Sequence, residues 1–247
     1  MTRHTRSVHG QRGTDDTGQA LVGDYDDDPG RFAANQRATQ RFLSRHNVHA
    51  DVADRFAAER MRLVADIGGG NGELARLLNG HAIASVVVDR ARYSAKAPKP
   101  VVIADAYRLP FRDNTFDGAA MLWMLYHLPD PLIALREAQR VVRPGGLLAV
   151  SVPSRYNDPE LATVTPRWGL PLSFDAENGA DILARVFDVV EVDRWDAPLL
   201  RLPDRDALTL YLRGRGATDP QARAAARAIT PPLTVTKRGM LAWARVT

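Results

Sequence analysis

The sequence predicts an α/β fold in which a mostly parallel sheet is covered by helices on both faces. Three observations predict it: short β-branched runs recur along the chain, they end in Asp or Gly, and each is followed by a helical or turn-like stretch. No internal repeat interrupts the pattern.

In chain order, residues 1–23 are rich in Arg, His, Thr, Gly and Asp and nearly free of apolar side chains, so a loose tail is expected there. From Arg31 to about Arg60, Phe32, Ala38, Phe42, Val52 and Phe56 recur at roughly helical spacing. With a break between His46 and Asp51, this predicts two helices before the first strand, a helical cap over 24–60. The strand–helix alternation then reads "RLVADI" into "GELARLLN", "IASVVVD" into "RARYSAKA", "PVVIAD", "FDGAAMLWML" into "DPLIALREAQRVV", and "GLLAVSVP", a core over 61–152. Substrate-side elements and last strands are expected over 153–247: a helix near "GADILARVF", a strand near "VVEVDRW", helices near "RDALTLYLR" and "DPQARAAARAI", and a strand near "GMLAWARV".

Composition narrows the function. Cysteine is absent, which excludes disulfides, thiolate zinc sites and cysteine nucleophiles. No apolar stretch reaches the roughly 20 residues of a membrane span and the polar start lacks a secretion-type segment, so the expected location is cytoplasmic. A net charge of +4 leaves room for nucleic acid, but the basic residues are scattered, and a phosphate footprint needs a contiguous stripe.

The stretch "LVADIGGGNGELARLL" carries the chemistry. Glycines at 68, 70 and 72 allow a sharp turn and close approach of a ligand to the backbone. A dinucleotide site prefers a glycine where Glu73 stands, and with Asp66 ahead of the turn two carboxylates would repel a pyrophosphate. They suit an ammonium group instead. The next strand ends at Asp89, about 20 residues on, where an acid can accept from both ribose hydroxyls, and the third ends at Asp105, placed to accept an adenine amino proton. An amino-acid end, a ribose and an adenine without phosphate describe S-adenosylmethionine.

These pieces, together with "VVVDRA", "ADAYRLPFRDNTFD", "MLWMLYHLPDP" and "LREAQRVVRPGGLLAVSVP", resemble a class I S-adenosylmethionine-dependent methyltransferase from about Arg62 to Pro153. The branch it is most similar to includes quinone and natural-product methyltransferases. The resemblance implies a Rossmann-like three-layer sandwich with a seven-stranded sheet whose last strand is reversed. It implies methionine-end contacts at Asp66, Gly68 and Gly70, with Gly69 and Asn71 in the same turn, ribose contacts at Asp89, and adenine contacts at Arg90, Asp105 and Ala106. Leu122, Trp123 and His127 fall at the end of the fourth strand, on the sulfonium side. The expected chemistry is direct displacement, releasing S-adenosylhomocysteine, to O, N or C of a small molecule of secondary metabolism, without a metal.

His127 is a candidate general base because imidazole can take a proton near neutral pH. Tyr25 is a second candidate, since in similar enzymes an aromatic from this region folds over the cofactor. Asp117 stands at the wrong end of its strand for catalysis and reads as structural, "RPGG" reads as a turn, and the Asp26–Asp28 run reads as a solvated loop. Tyr126, Arg155, Trp168, Phe174 and Glu177, along with Tyr156, Arg167 and Tyr211, are candidates for the acceptor side because they lie in the connections where this fold varies. Three readings stay beside the main one: an RNA methyltransferase, a noncatalytic S-adenosylmethionine-binding module, and an NAD oxidoreductase, the last disfavoured by Glu73.

Overall fold

The computed structural model describes residues 28–247 apart from 45, 46 and 166; the expected tail and Tyr25 lie outside the described residues. Helix α1, Pro29–Phe42, starts where the Asp28 side chain accepts from the Arg31 N–H, and α2, Val48–Ala58, where Asn47 accepts from His49 and Ala50. Capping oxygens of this kind satisfy backbone donors that a first helical turn leaves without partners. The alternation then runs β1 Leu63–Ile67, α3 Glu73–Gly80, β2 Ala84–Val88, β3 Val101–Val102, β4 Phe116–Leu122, α4 Pro131–Val141 and β5 Val142–Pro153. After it come α5 Gly179–Leu183, β6 Val189–Leu202, α6 Arg205–Gly214, α7 Asp219–Arg227 and β7 Leu233–Arg245.

The seven strands form one sheet in the order β3-β2-β1-β4-β5-β7-β6, and β7 runs antiparallel to both of its neighbours. The reversed last strand is therefore present. Side chains alternate along β5: Leu147 and Ala149 join one core with Val52 and Phe56 of α2 and Leu74 and Leu78 of α3. Leu148, Val150 and Val152 join the other with Ala134, Leu135 and Ala138 of α4. This period of two gives the three layers.

Three expectations shift. The stretch "RARYSAKA" forms only a 3-10 turn, Arg92–Lys96, and β3 is two residues long, because Pro98 and Pro100 remove backbone donors that a helix or a longer strand would need. The "RPGG" segment lies inside the span of β5 as an irregularity, since pairing with β4 jumps from Phe116–Val142 to Gly118–Leu147. The β6 and β7 strands are much longer than "VVEVDRW" and "GMLAWARV". Pairing of β7 with β5 stops at Pro153 opposite Gly239, whereas β6 and β7 stay paired out to Leu202 opposite Leu233.

That overhanging ribbon organises a second, smaller core. Leu200, Leu202 and Val235 of the ribbon pack with Leu208, Tyr211 and Leu212 of α6, Ala222 of α7, Leu161 and Ala38 of α1. The two N-terminal helices thus part company: α2 covers the sheet, and α1 lies on α6. A Cβ added to Gly214 would sit 2.7 Å from the Asn35 Cα, so the two helices touch backbone to backbone there. Asp204 caps α6 by accepting from the Ala207 N–H at 2.8 Å. Asp204→Ala is expected to cost about 1 kcal/mol, a fall in Tm of about 2–4 °C for a chain of this size, read by calorimetric melting.

Candidate active site

The strand order reverses direction between β1 and β4, and in open α/β sheets ligands bind at such a point, outside the carboxyl ends of the strands. A cleft of about 750 Å³ lies there. Its floor is the turn Gly68–Asn71 after β1, Asp89 and Arg90 after β2, Ala104–Tyr107 after β3, and Leu122–Pro129 at the end of β4, while α1 and the β6–β7 ribbon form its roof.

The glycine turn is shaped by contacts that only glycine permits. Gly68 has φ +70° and its N–H donates to the Val88 carbonyl at 2.7 Å; a Cβ there would meet the Met124 side chain at 2.8 Å. A Cβ on Gly69 would lie 2.4 Å from the Asp66 carboxyl. The turn therefore lies directly against Asp66.

Asp66 is only 2% exposed, and its Oδ2 has no hydrogen-bond partner among the described residues. Burial, followed by the nearby negative charge of Asp89, pushes its carboxyl up to about 7, against a partial counter-effect from the Ala75 N–H. An orphaned buried carboxylate oxygen is costly unless a donor reaches it. Asp89 instead holds the turn in place: Oδ2 accepts from Gly70 N–H at 2.9 Å and Oδ1 from Ala91 N–H at 2.8 Å. A carboxylate has about four acceptor positions, so one side chain can both hold the turn and meet ligand hydroxyls. Asp105 accepts from Tyr107 N–H at 2.9 Å through Oδ1, leaving Oδ2 as an acceptor on the exposed side. The residues present thus fit an adenosine-bearing cation: an unpartnered carboxylate oxygen beside a glycine cradle, then two further carboxylates along the same edge.

Past β4 the chain turns sharply. Trp123 adopts φ +60°, a strained conformation for a bulky residue, fixed by its N–H donating to the Ser151 carbonyl at 2.8 Å and by an edge-on contact with Trp195. Leu122, Trp123, Tyr126 and His127 all line the cleft, with the Tyr126 and His127 rings 4.5 Å apart.

Most acceptor-side candidates lie outside the cleft. Phe174 is fully buried in the core beneath β5, where an aromatic ring gains more than on a wet wall. Arg155 pairs with Asp175 at 2.9 Å and with Glu177 at 3.4 Å, and Glu177 also accepts from Ser154 Oγ, so these charges staple the loop after β5 to itself. Trp168 donates from Nε1 to the Asn157 carbonyl and packs edge-on against Tyr156. None of Arg155, Trp168, Phe174 or Glu177 lines the cleft; nor do Tyr156, Arg167 or the buried Tyr211. Asp117 holds β1 in place, accepting from the Arg62 and Leu63 N–H groups and pairing with Arg143.

The residues that do face the cleft from above went unnoticed in the sequence. Phe32, Asn35, Gln36, Thr39 and Gln40 of α1, with Leu43 just past its end, form one stripe at helical spacing. His49, 3.9 Å from Glu73, and Trp195, Asn157, Arg215, Lys237 and Arg238 complete the wall. Burial depresses His49, and the neighbouring Glu73 partly offsets that.

Residues 65–150 match the model of a methyltransferase domain family. The chain is 33% identical over 195 residues to 27-O-demethylrifamycin SV methyltransferase of Amycolatopsis mediterranei, covering 74% of this chain and 65% of that protein. It is 32% identical over 140 residues to 2-phytyl-1,4-naphtoquinone methyltransferase of Synechococcus elongatus, covering 55% and 49%. The chain thus spans about half to two-thirds of the length of these relatives. A protein from Anabaena variabilis, described as a methyltransferase from an antibiotic biosynthesis pathway, superimposes with a TM-score of 0.61 at 15% identity over 77% of this chain and 96% of its own, a likeness of fold. The domain match, the relatives and the wound sheet with its reversed strand agree: residues 65–150 carry a methyltransferase domain, and the chain is similar to the class I S-adenosylmethionine-dependent methyltransferases.

Proposed function

We propose that the chain transfers a methyl group from S-adenosylmethionine to an oxygen, nitrogen or carbon of a small, partly apolar molecule. The observation that carries this reading is the buried, unpartnered Oδ2 of Asp66 beneath the glycine turn, a position that calls for a cationic donor. When bound, the cofactor supplies a methyl group already activated on a sulfonium sulfur. The protein then contributes alignment and exclusion of water. Asp66 would hold the amino end, Asp89 the ribose and Asp105 with Ala106 the adenine, while Leu122 and Trp123 back the sulfur side.

The roof supports a small acceptor. Phe32, Leu43, Trp195, Leu199 and Leu200 give the cleft apolar walls, and Asn35, Gln36 and Gln40 add neutral hydrogen-bonding groups. Several arginines that could meet phosphates are engaged by acids: Arg55 with Glu191, Arg140 with Glu137 and Asp113, Arg213 with Asp28 and Asp219, and Arg245 with Glu59. This pattern favours a small molecule over RNA. Among the described residues, no helix is long and apolar enough to cross a membrane. The two curated relatives, one acting on a rifamycin and one on a quinone by their names, point to the same acceptor class.

His127 lines the cleft past the end of β4, and an imidazole there could accept an acceptor proton. His127→Ala is expected to lower kcat by about 10²-fold, the lower end of general-base effects, with S-adenosylhomocysteine affinity unchanged. A fall of under tenfold would remove His127 from proton transfer. Identifying the acceptor by mass spectrometry of metabolite mixtures incubated with methyl-labelled cofactor tests the whole reading, and cofactor binding with no labelled product would reduce the chain to a binding module.

A further inference from the structure

The cleft carries opposite charge at its two ends. Asp89 and Asp105 line one, with the buried Asp66 beneath the glycine turn beside them, and Arg215, Lys237 and Arg238 line the other. The basic end is built around Asp158, a residue 6% exposed and held at φ +61° in the left-handed region. Its Oδ1 meets Lys237 Nζ at 2.5 Å and its Oδ2 meets Arg215 Nε at 3.0 Å and the Tyr211 hydroxyl at 2.7 Å. Lys237 and Arg215 both also donate to the Tyr211 oxygen, at 2.8 Å and 2.6 Å. Burial keeps Tyr211 neutral, with its phenol pushed well above the usual range. Two cations therefore share one carboxylate, and a positive charge is left over in a largely buried cluster.

Burial and the neighbouring Arg215 lower Lys237 to about 8, so it is still mostly charged at neutral pH. Glu160, a further acid acting on Lys237, offsets the charge only in part, being exposed and tied to Thr236 through both oxygens. The donors are not exhausted either: Lys237 uses two of its three N–H bonds, and Arg215 uses Nε and one bond of Nη2. Both side chains line the cleft, and Arg215 interacts electrostatically with Tyr126 in the segment after β4. The β6–β7 overhang is what brings Lys237 there, since it lies beyond the last pairing of β7 with β5.

We infer that Lys237 and Arg215 form an anion subsite that binds a negatively charged oxygen group, a carboxylate or an ionised phenol or enol, on the methyl acceptor. This rests on the methyltransferase reading and narrows it to acidic acceptors. Asp158 and Tyr211 are positioning residues that fix the two cations and direct their remaining N–H bonds toward the cleft.

The test compares 2-naphthoate with its neutral counterpart 2-naphthamide by ligand-observed NMR, on protein saturated with S-adenosylhomocysteine. The wild type is expected to bind naphthoate at least tenfold more tightly. Lys237→Met should abolish the preference while Lys237→Arg keeps most of it, a rescue that a purely structural role would not give. A wild-type readout stands beside the variants: lysine occurs only at 96, 99 and 237, so acetic anhydride labelling followed by mass spectrometry reports each separately. Naphthoate should shield Lys237 and leave Lys96 and Lys99 unchanged, and naphthamide should shield none. Equal binding of the two probes, no binding of either, or a preference that survives Lys237→Met overturns the inference. Calorimetry with S-adenosylhomocysteine alone tests the underlying reading separately; if it gives no heat, the naphthoate comparison on unliganded protein still decides the anion subsite.

Discussion

Asp66→Asn is expected to make the unliganded protein more stable at pH 8 while weakening its hold on S-adenosylmethionine. The folded chain holds the Asp66 carboxyl at about 7, against 3.8 in the unfolded chain. Between these values the folded state binds a proton that the unfolded state has released, so stability declines as pH rises through about 4 to 7. The displacement from 3.8 to about 7 corresponds to about 4 kcal/mol at 1.36 kcal/mol per pH unit, an upper bound since the buried site can relax. Asparagine resembles the protonated acid and avoids this cost. At about pH 3, below the unfolded-state value of 3.8, the two proteins should melt together, and the gap should open as pH rises through about 4 to 7; at pH 8 the variant should melt several degrees higher, at about 2–4 °C per kcal/mol. Affinity moves the other way, because the variant lacks the charge that would meet the cofactor's ammonium. Breaking a buried pair costs about 3–5 kcal/mol, so a loss of 10²-fold or more in calorimetric affinity is expected. A variant no more stable at pH 8, or one that binds the cofactor as well as the wild type, would contradict this role for Asp66.

The second large effect is expected at Asp89. Its carboxylate ties the Gly70 and Ala91 N–H groups, fixing the turn against the end of β2, and under the proposed function it would also accept from the ribose diol. Hydrogen bonds to a charged group contribute about 1.5–3 kcal/mol each. Asp89→Ala should lower S-adenosylhomocysteine affinity by about 10³-fold, and Asp89→Asn by less, since the amide keeps one acceptor for a backbone N–H. Removing Asp89 also takes away a charge that raises Asp66, so the Asp66 carboxyl should titrate lower in Asp89→Ala. NMR of the carboxyl carbons measures that shift. An affinity loss under tenfold would mean that Asp89 serves only the turn.

Much of the proposed cofactor end was legible because it is local. The glycines, Asp66, Asp89 and Asp105 sit where a strand ends and the chain turns, and a strand–turn–helix rhythm places such residues at one edge of a sheet without any knowledge of long-range pairing. The acceptor end was not legible, because it is assembled by register. Lys237 reaches the cleft only since β6 and β7 remain paired beyond Pro153, and Pro198 and the charges of the ribbon hide that extension in the sequence. Arg155, Glu177 and Phe174 lie outside the cleft because nearby acids and an apolar pocket offer them partners within the loop and core. Helix α1 was legible as a helix from its apolar spacing, and its register sets two faces: Ala34 and Ala38 are buried while the polar stripe faces the cleft.

A crystal structure of the chain with S-adenosylhomocysteine tests most directly whether three acids converge on one phosphate-free, adenosine-bearing ligand. The account predicts the amino group at Asp66 Oδ2, the ribose hydroxyls on Asp89, the adenine beside Asp105 and Ala106, and the sulfur facing the space under α1 between His127 and Lys237. A ligand bound outside this cleft, or one that leaves Asp66 Oδ2 without a donor, would contradict it.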